Sequence, residues 1–364
     1  VKTARFLRDP KFYLGLFVSL FFLFLAFYDV NLRPFSVQAK IDFGEMWHSI
    51  THVDPLLILI VMAQVVFMLF VRGHRWSLFL KPVKRLPWIP LGWSTCIGFA
   101  VNNLLPARLG EVARSISASR KSGLGFGTVF GTVVVERIYD TLTILILFVF
   151  SLYVLEFSEP IAKISQAAHA EFGVAITQQS LAINLSVLVA IILAAIIMLK
   201  WKTELSLHIA GFFFKPLPQR WREKIINGLR NFIGGLTQTT VPWEVAWIVV
   251  LSAALWIISA ISVWLALLAC DLNISFTDSI LVLMALVIAV SIPASPGYIG
   301  PYHFLAATAI SLSTGEPWEK AMGGAIVLHL ANYLPQTLFG LFALAREGLS
   351  LKEIEEKPVK PASA

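Results

Sequence analysis

Long apolar runs separated by short charged stretches set the pattern of this chain. Runs approaching the roughly 20 residues that cross a bilayer core as helix occupy residues 12–30, 56–71, 126–155, 181–199, 243–269 and 321–345. They predict six membrane-spanning helices. Two further apolar stretches are interrupted: residues 88–122 break at PARLG, 106–110, and residues 278–312 break within SIPASPGYIGPYH, 291–303. Proline lacks an amide donor and glycine has little helical preference, so neither stretch can be one unbroken helix. Backbone opened inside lipid must face protein or a water-filled cavity. The expected fold class is therefore an all-α polytopic membrane protein with six full spans and two re-entrant broken-helix hairpins.

Loop charge supplies the orientation. Residues 1–12 carry four bases against one acid, 29–54 two against four, and 72–85 five against none. Residues 106–122 carry four against one, 155–173 one against three, and 200–240 seven against two. Both termini are expected in the cytoplasm, with 88–122 entering from the cytoplasm and 278–312 from outside. Residues 1–173 and 174–348 then each read as span, span, hairpin, span, starting on opposite sides. Such an inverted-topology repeat places its site where the two broken segments meet.

Within the second half, residues 219–238 put Trp221, Ile225, Leu229 and Phe232 on one helical face and Arg222 and Arg230 off it, the pattern of an interfacial amphipathic helix. Tryptophans 47, 76, 88, 93, 201, 221, 243 and 318 fall near predicted span ends, as in an aromatic belt. Residues 349–364 read as a disordered tail.

Composition agrees with that class and narrows the partners. The chain of 364 residues is 57% hydrophobic and 14% charged, with a mean hydropathy of +0.76. Its net charge of +7 fits inward-facing loops and anionic lipid, not nucleic acid. Cys96 and Cys270 lie in apolar surroundings, which suits packing better than a disulfide or a thiolate metal site. The basic N-terminal residues precede an apolar run with no small-residue cleavage site, and are expected to lead an uncleaved first span.

The polar residues inside apolar sequence carry the candidate chemistry. Asn102, Asn103, Arg108, Glu111 and Arg114 surround the first break. Glu111 and Arg114 share a face of the short helix that should start there, whose free N–H groups favour an anion such as phosphate. The two asparagines either contact substrate or satisfy the opened backbone. Glu136, Arg137 and Asp140 fall about 13 Å into the following span, counted at about 1.5 Å per residue. They form either a pathway or a buried ion cluster joining helices. Tyr298 follows the second break and His303 lies just beyond it; His329, Asn332 and Tyr333 sit at comparable depth in the last span. The histidines could make the rate depend on pH, or simply pack. His48, His52 and Asp54 have a metal-like spacing, better read as an exposed loop; no metal and no cofactor is expected. No GxxxxGK[ST], HExxH or GxSxG string is present.

Four strings, RGHRWSLFLKP, NNLLPARLGEVAR, VERIYD and PASPGYIG, resemble the transmembrane region of the lysylphosphatidylglycerol flippase-synthases and their stand-alone relatives. The likeness runs from the first span to about Gly340. It implies a lipid-translocating domain with two re-entrant elements around a central cavity, and headgroup contact by Arg108, Glu111, Arg114, Glu136, Arg137 and Asp140. His303 and His329 stand where that pattern leads one to expect an acid and an arginine. No soluble transferase domain lies within these residues, so lipid aminoacylation is not carried over. The expected function is flippase- or scramblase-like translocation of a phospholipid or polyprenyl-linked lipid headgroup in a prokaryotic inner membrane. The alternatives are a membrane-embedded enzyme modifying a lipid headgroup and a proton-coupled transporter of a small solute. The expected partners are anionic or zwitterionic phospholipids or polyprenyl-phosphate lipids, and a homo-oligomer is compatible.

Overall fold

The computed structural model describes residues 10–32, 35–105, 109–157, 175–201 and 242–349, with scattered positions between 160 and 223. Its helices, in chain order, are α1 (Pro10–Phe27), α2 (Phe43–Thr51), α3 (Pro55–Leu80), α4 (Trp88–Leu104), α5 (Gly110–Ser122) and α6 (Phe126–Val154). They continue as α7 (Gln178–Trp201), α8 (Pro242–Leu268), α9 (Phe276–Ser291), α10 (Pro301–Thr314) and α11 (Trp318–Glu347). Among the described residues, four segments are long and apolar enough to cross a bilayer: Pro55–Leu80, Gln178–Met198, Trp243–Leu268 and Trp318–Glu347. Tyr13–Phe27 and Phe276–Ser291 are apolar but shorter. α6 has length enough at 29 residues, but Glu136, Arg137 and Asp140 interrupt its apolar sequence. The chain is an integral membrane protein built of helices.

Helix α3 corrects one expectation. The span predicted to end at residue 71 continues as helix to Leu80, so Arg72 and Arg75 lie within a helix and not in a basic loop. Trp76, expected in the interfacial belt, is fully buried and donates its indole N–H to Thr132 Oγ1 at 2.9 Å. The amphipathic segment 219–238 falls outside the described residues except at 219, 220, 222 and 223, and the tail from residue 350 lies outside them entirely.

A small antiparallel hairpin is an addition to the all-α expectation. β1 (Tyr28–Leu32) pairs with β2 (Phe35–Ala39), Val30 opposite Val37 and Asp29 opposite Gln38. Both strands alternate apolar and polar residues, the two-residue period of a sheet.

The centre of the bundle is α4, packed against α3, α5 and α11. Without a hydrophobic drive inside lipid, helices associate through close van der Waals approach of small residues. Gly73 of α3 and Gly92 of α4 supply it: a Cβ on Gly73 would lie 2.4 Å from the Gly92 backbone. On the other side, a Cβ on Gly340 of α11 would lie 2.4 Å from the Cys96 carbonyl oxygen.

The described helices stop on either side of both expected breaks. α4 ends where Leu105 turns extended (φ −111°, ψ 146°), and α5 begins at Gly110. α9 ends at Ser291, a 3-10 turn covers Pro296–Tyr298, and α10 begins at Pro301. The end of α4 packs on that turn. The Tyr333 hydroxyl, from α11, donates to the Asn103 carbonyl at 3.4 Å. α1 is fastened to the second break by Ser19, whose Oγ lies 2.8 Å from Ser295 Oγ and accepts the Ser295 N–H at 2.9 Å.

Candidate functional site

One arginine organises the largest polar cluster. Arg75, on α3, has no exposed surface. Its Nη1 donates to Asp140 Oδ1 at 2.5 Å and to Ser252 Oγ of α8 at 2.8 Å, and its Nη2 donates to Glu136 Oε1 at 3.0 Å. Glu136 and Asp140 stand one helical turn apart on α6, so their carboxylates meet the fork of a single guanidinium. Glu136 is fully buried and Asp140 is 4% exposed. The other face of Glu136 belongs to Arg114 of α5, Nη1 to Oε2 at 3.2 Å. Arg114 also lies over the Trp76 ring, 4.9 Å from its centroid.

Outside this core the cluster opens. Arg137 bridges Glu111 Oε1 at 3.4 Å and Asp140 Oδ2 at 3.5 Å, and its side chain is 41% exposed. Arg72 approaches Asp140 Oδ2 at 3.8 Å. Four guanidinia therefore face three carboxylates, one positive charge in excess among the described residues. Buried guanidinium nitrogens are left over as well: Arg75 Nε, Arg114 Nε and Nη2, and Arg137 Nε find no hydrogen-bond acceptor among the described residues. Such donors are costly to bury unless something accepts from them. The arrangement can hold an oxyanion against a guanidinium while neighbouring carboxylates keep the total charge low.

Of the residues singled out from sequence, Glu111, Arg114, Glu136, Arg137 and Asp140 come together here. Arg108 lies outside the described residues. Asn102 sits at the edge, with its Oδ1 accepting the Gly110 N–H at 2.7 Å and its Nδ2 3.5 Å from Glu111 Oε2. It caps the first free donor of α5, which is the backbone-satisfying role. Asn103 turns away and donates to Thr337 Oγ1 at 3.0 Å.

A second polar group, with neither carboxylate nor guanidinium in it, forms around the other break. His329 Nδ1 lies 3.1 Å from His303 Nε2. Tyr302 stacks on His329 at 4.4 Å, and Tyr333 meets it edge-on at 5.5 Å. The Gly300 N–H reaches His303 Nδ1 at 3.5 Å. Tyr298 has a left-handed backbone (φ 58°) inside the turn. Asn332 bonds back to the Leu328 carbonyl at 3.0 Å, within its own helix. His48 and His52 stack on one another at 3.8 Å, and no group of metal-ligand type is present among the described residues.

Sequence reasoning missed Arg72 and Arg75, with Ser252 and Trp76 beside them. The available signal was the spacing in RGHRW: two arginines three residues apart share a helical face, and an apolar run reaches them without a break.

Residues 12–340 match the family described as the lysylphosphatidylglycerol synthase TM region. The chain belongs to that family. Two relatives, each 25% identical, extend the comparison. One is the UPF0104 membrane protein PH1989 of Pyrococcus horikoshii, aligned over 315 residues, 81% of this chain and 89% of the relative. The other is the UPF0104 membrane protein MJ1078 of Methanocaldococcus jannaschii, aligned over 244 residues, 66% of this chain and 91% of the relative. The match to this lysylphosphatidylglycerol synthase TM-region family takes in both breaks and every residue of the arginine–carboxylate cluster.

Proposed function

We propose that this member of the lysylphosphatidylglycerol synthase TM-region family moves a lipid headgroup across the bilayer, the acyl tails staying in hydrocarbon. The observation that carries the reading is the cluster of four arginines and three carboxylates inside the bundle, closed at Arg75 and Glu136 and open at Arg137 and Glu111. Its positive excess and unpartnered guanidinium nitrogens suit a phosphate. Carrying a charge through lipid unaided costs from about 3 to more than 10 kcal/mol. Removing about 7 kcal/mol of that would speed crossing about 10⁵-fold. The substrate class that follows is a phospholipid, or a polyprenyl lipid carrying phosphate.

The proposed architecture is two half-repeats, residues 1–173 and 174–348, each with one re-entrant hairpin, the hairpins inserted from opposite leaflets. The contact between the end of α4 and the turn Pro296–Tyr298 supports it, as does the alternation of loop charge. On this reading both termini face the cytoplasm of a prokaryotic cell. Asn102, Asn103, Tyr298, His303, His329, Asn332 and Tyr333 would line the passage or hold its walls. Arg108 would add a further positive charge to it.

Translocation is favoured over headgroup modification by the state of the carboxylates. Glu136 lies beside two guanidinia and Asp140 beside three, so taking up a proton as a general base would give up those ion pairs. The test is reconstitution into vesicles with a fluorescent phosphatidylglycerol and quenching restricted to the outer leaflet. Wild type should raise the transfer rate well above empty vesicles, and Arg114→Gln should lose 10-fold or more of that gain while the protein still folds. Equal rates for wild type and empty vesicles, with a new lipid species visible by mass spectrometry, would instead identify an enzyme.

A further inference from the structure

Helix α5 runs on from the cluster, and Lys121 lies about 10 Å beyond Arg114, seven residues further along. There a separate concavity opens. A cavity of about 300 Å³ lies between the start of α4 and the last turns of α5 and α11. Leu86, Ile89, Leu91 and Trp93 give it apolar walls, and Lys121 and Arg346 line it too. Lys121 is paired with Glu347 and donates to the Pro90 carbonyl at 3.0 Å. Glu347 also accepts the Ser117 hydroxyl at 2.6 Å. Arg346 is exposed, lies 5.4 Å from the Trp93 ring centroid, and has no ion pair among the described residues.

Charge and shape together define the occupant. Two bases against one acid leave a positive excess, and exposed Arg85 and Arg120, next in sequence to Leu86 and Lys121, extend it. A free phosphate would satisfy the charges and leave the apolar walls wet. An uncharged apolar molecule would cover the walls and leave Arg346 unused. A phospholipid with a net negative headgroup does both, its phosphate at Arg346 and Lys121 and an acyl chain along Ile89 and Trp93. We infer that this cavity is a binding site for an anionic phospholipid at the basic end of the bundle. The inference stands apart from the transport reading, because its residues are different and a lipid held here need not cross.

The test uses the full chain in a neutral maltoside detergent. Phosphatidylglycerol, phosphatidylcholine or inorganic phosphate is titrated in while native mass spectrometry counts the lipids retained. Phosphatidylglycerol should be retained in preference to phosphatidylcholine, and inorganic phosphate at equal concentration should not displace it. The pair Lys121→Gln and Arg346→Gln should hold one lipid fewer, with the affinity of that site reduced 10-fold or more. Arg346→Lys, which keeps the charge, should retain it and so exclude misfolding as the cause. Equal retention of the two lipids, displacement by inorganic phosphate, or an equal loss from Lys320→Gln, near the opposite end of α11, would overturn the inference.

Discussion

Arg75 meets two carboxylates of one helix and a serine of another, and that makes it the residue whose loss should be felt most. Its removal takes the shortest ion pair from both Glu136 and Asp140, leaving the first to Arg114 and the second to the more distant Arg72 and Arg137. Breaking a buried pair from one side costs about 3–5 kcal/mol, so Arg75→Met should sharply lower the Tm of the purified protein in detergent. Adding Asp140→Asn, which returns the cluster to its original excess of one positive charge and leaves Glu136 with Arg114, should restore part of that stability. A single variant as stable as wild type would mean that Arg75 does not hold the two carboxylates together.

Lys40 offers a pH test at a position outside the spans. It lies over the Trp318 ring, 3.5 Å from the centroid, and burial pulls its pKa below the ordinary 10.5, with Asp29 and Glu319 opposing in part. The unfolded chain then keeps the proton to higher pH than the folded one. Stability therefore rises with pH between the lowered value and 10.5. Across that interval the Tm of wild type should gain on that of Lys40→Gln; a difference that stays flat with pH would contradict the assignment.

At the scale of elements, the two breaks were legible because proline and glycine act locally. PARLG and SIPASPGYIGP announce opened backbone whatever lies around them. The three charges of α6 were legible for a similar reason, standing alone in apolar sequence. What stayed hidden was partnership over distance. Arg75 finds Glu136 and Asp140 sixty-one and sixty-five residues away, and with those partners a charge that counted toward a basic loop becomes tolerable inside a helix. The β1–β2 hairpin was written in its alternation but is too short to stand out beside helical runs. The pairing of His303 with His329 rests on α10 packing against α11, which no local pattern specifies.

Two substitutions test how these elements are joined. Gly73→Ala sets a methyl group 2.4 Å from the Gly92 backbone, so α3 and α4 must part. The expected loss is about 1–3 kcal/mol or more, read as a lower Tm; an unchanged Tm would show that the two helices are not in contact there. Asn102→Ala removes the acceptor for the Gly110 N–H at the start of α5. Loss of such a cap costs about 1 kcal/mol, and faster hydrogen exchange at the first turn of α5 should report it. Exchange unchanged in that turn would deny Asn102 the role.

For the molecule as a whole, the family match and the bundle of apolar helices establish a membrane protein of the lysylphosphatidylglycerol synthase TM-region family. The proposal adds that water and a headgroup reach charges within its interior. Both native cysteines are buried, so an introduced thiol can be read against a quiet background. The decisive measurement is the rate at which Arg137→Cys, in sealed vesicles, reacts with a charged, membrane-impermeant thiol reagent. The account predicts modification, slowed about 10-fold by a short-chain phosphatidylglycerol that competes for the site. A thiol that never reacts, or reacts at a rate indifferent to the lipid, would contradict it.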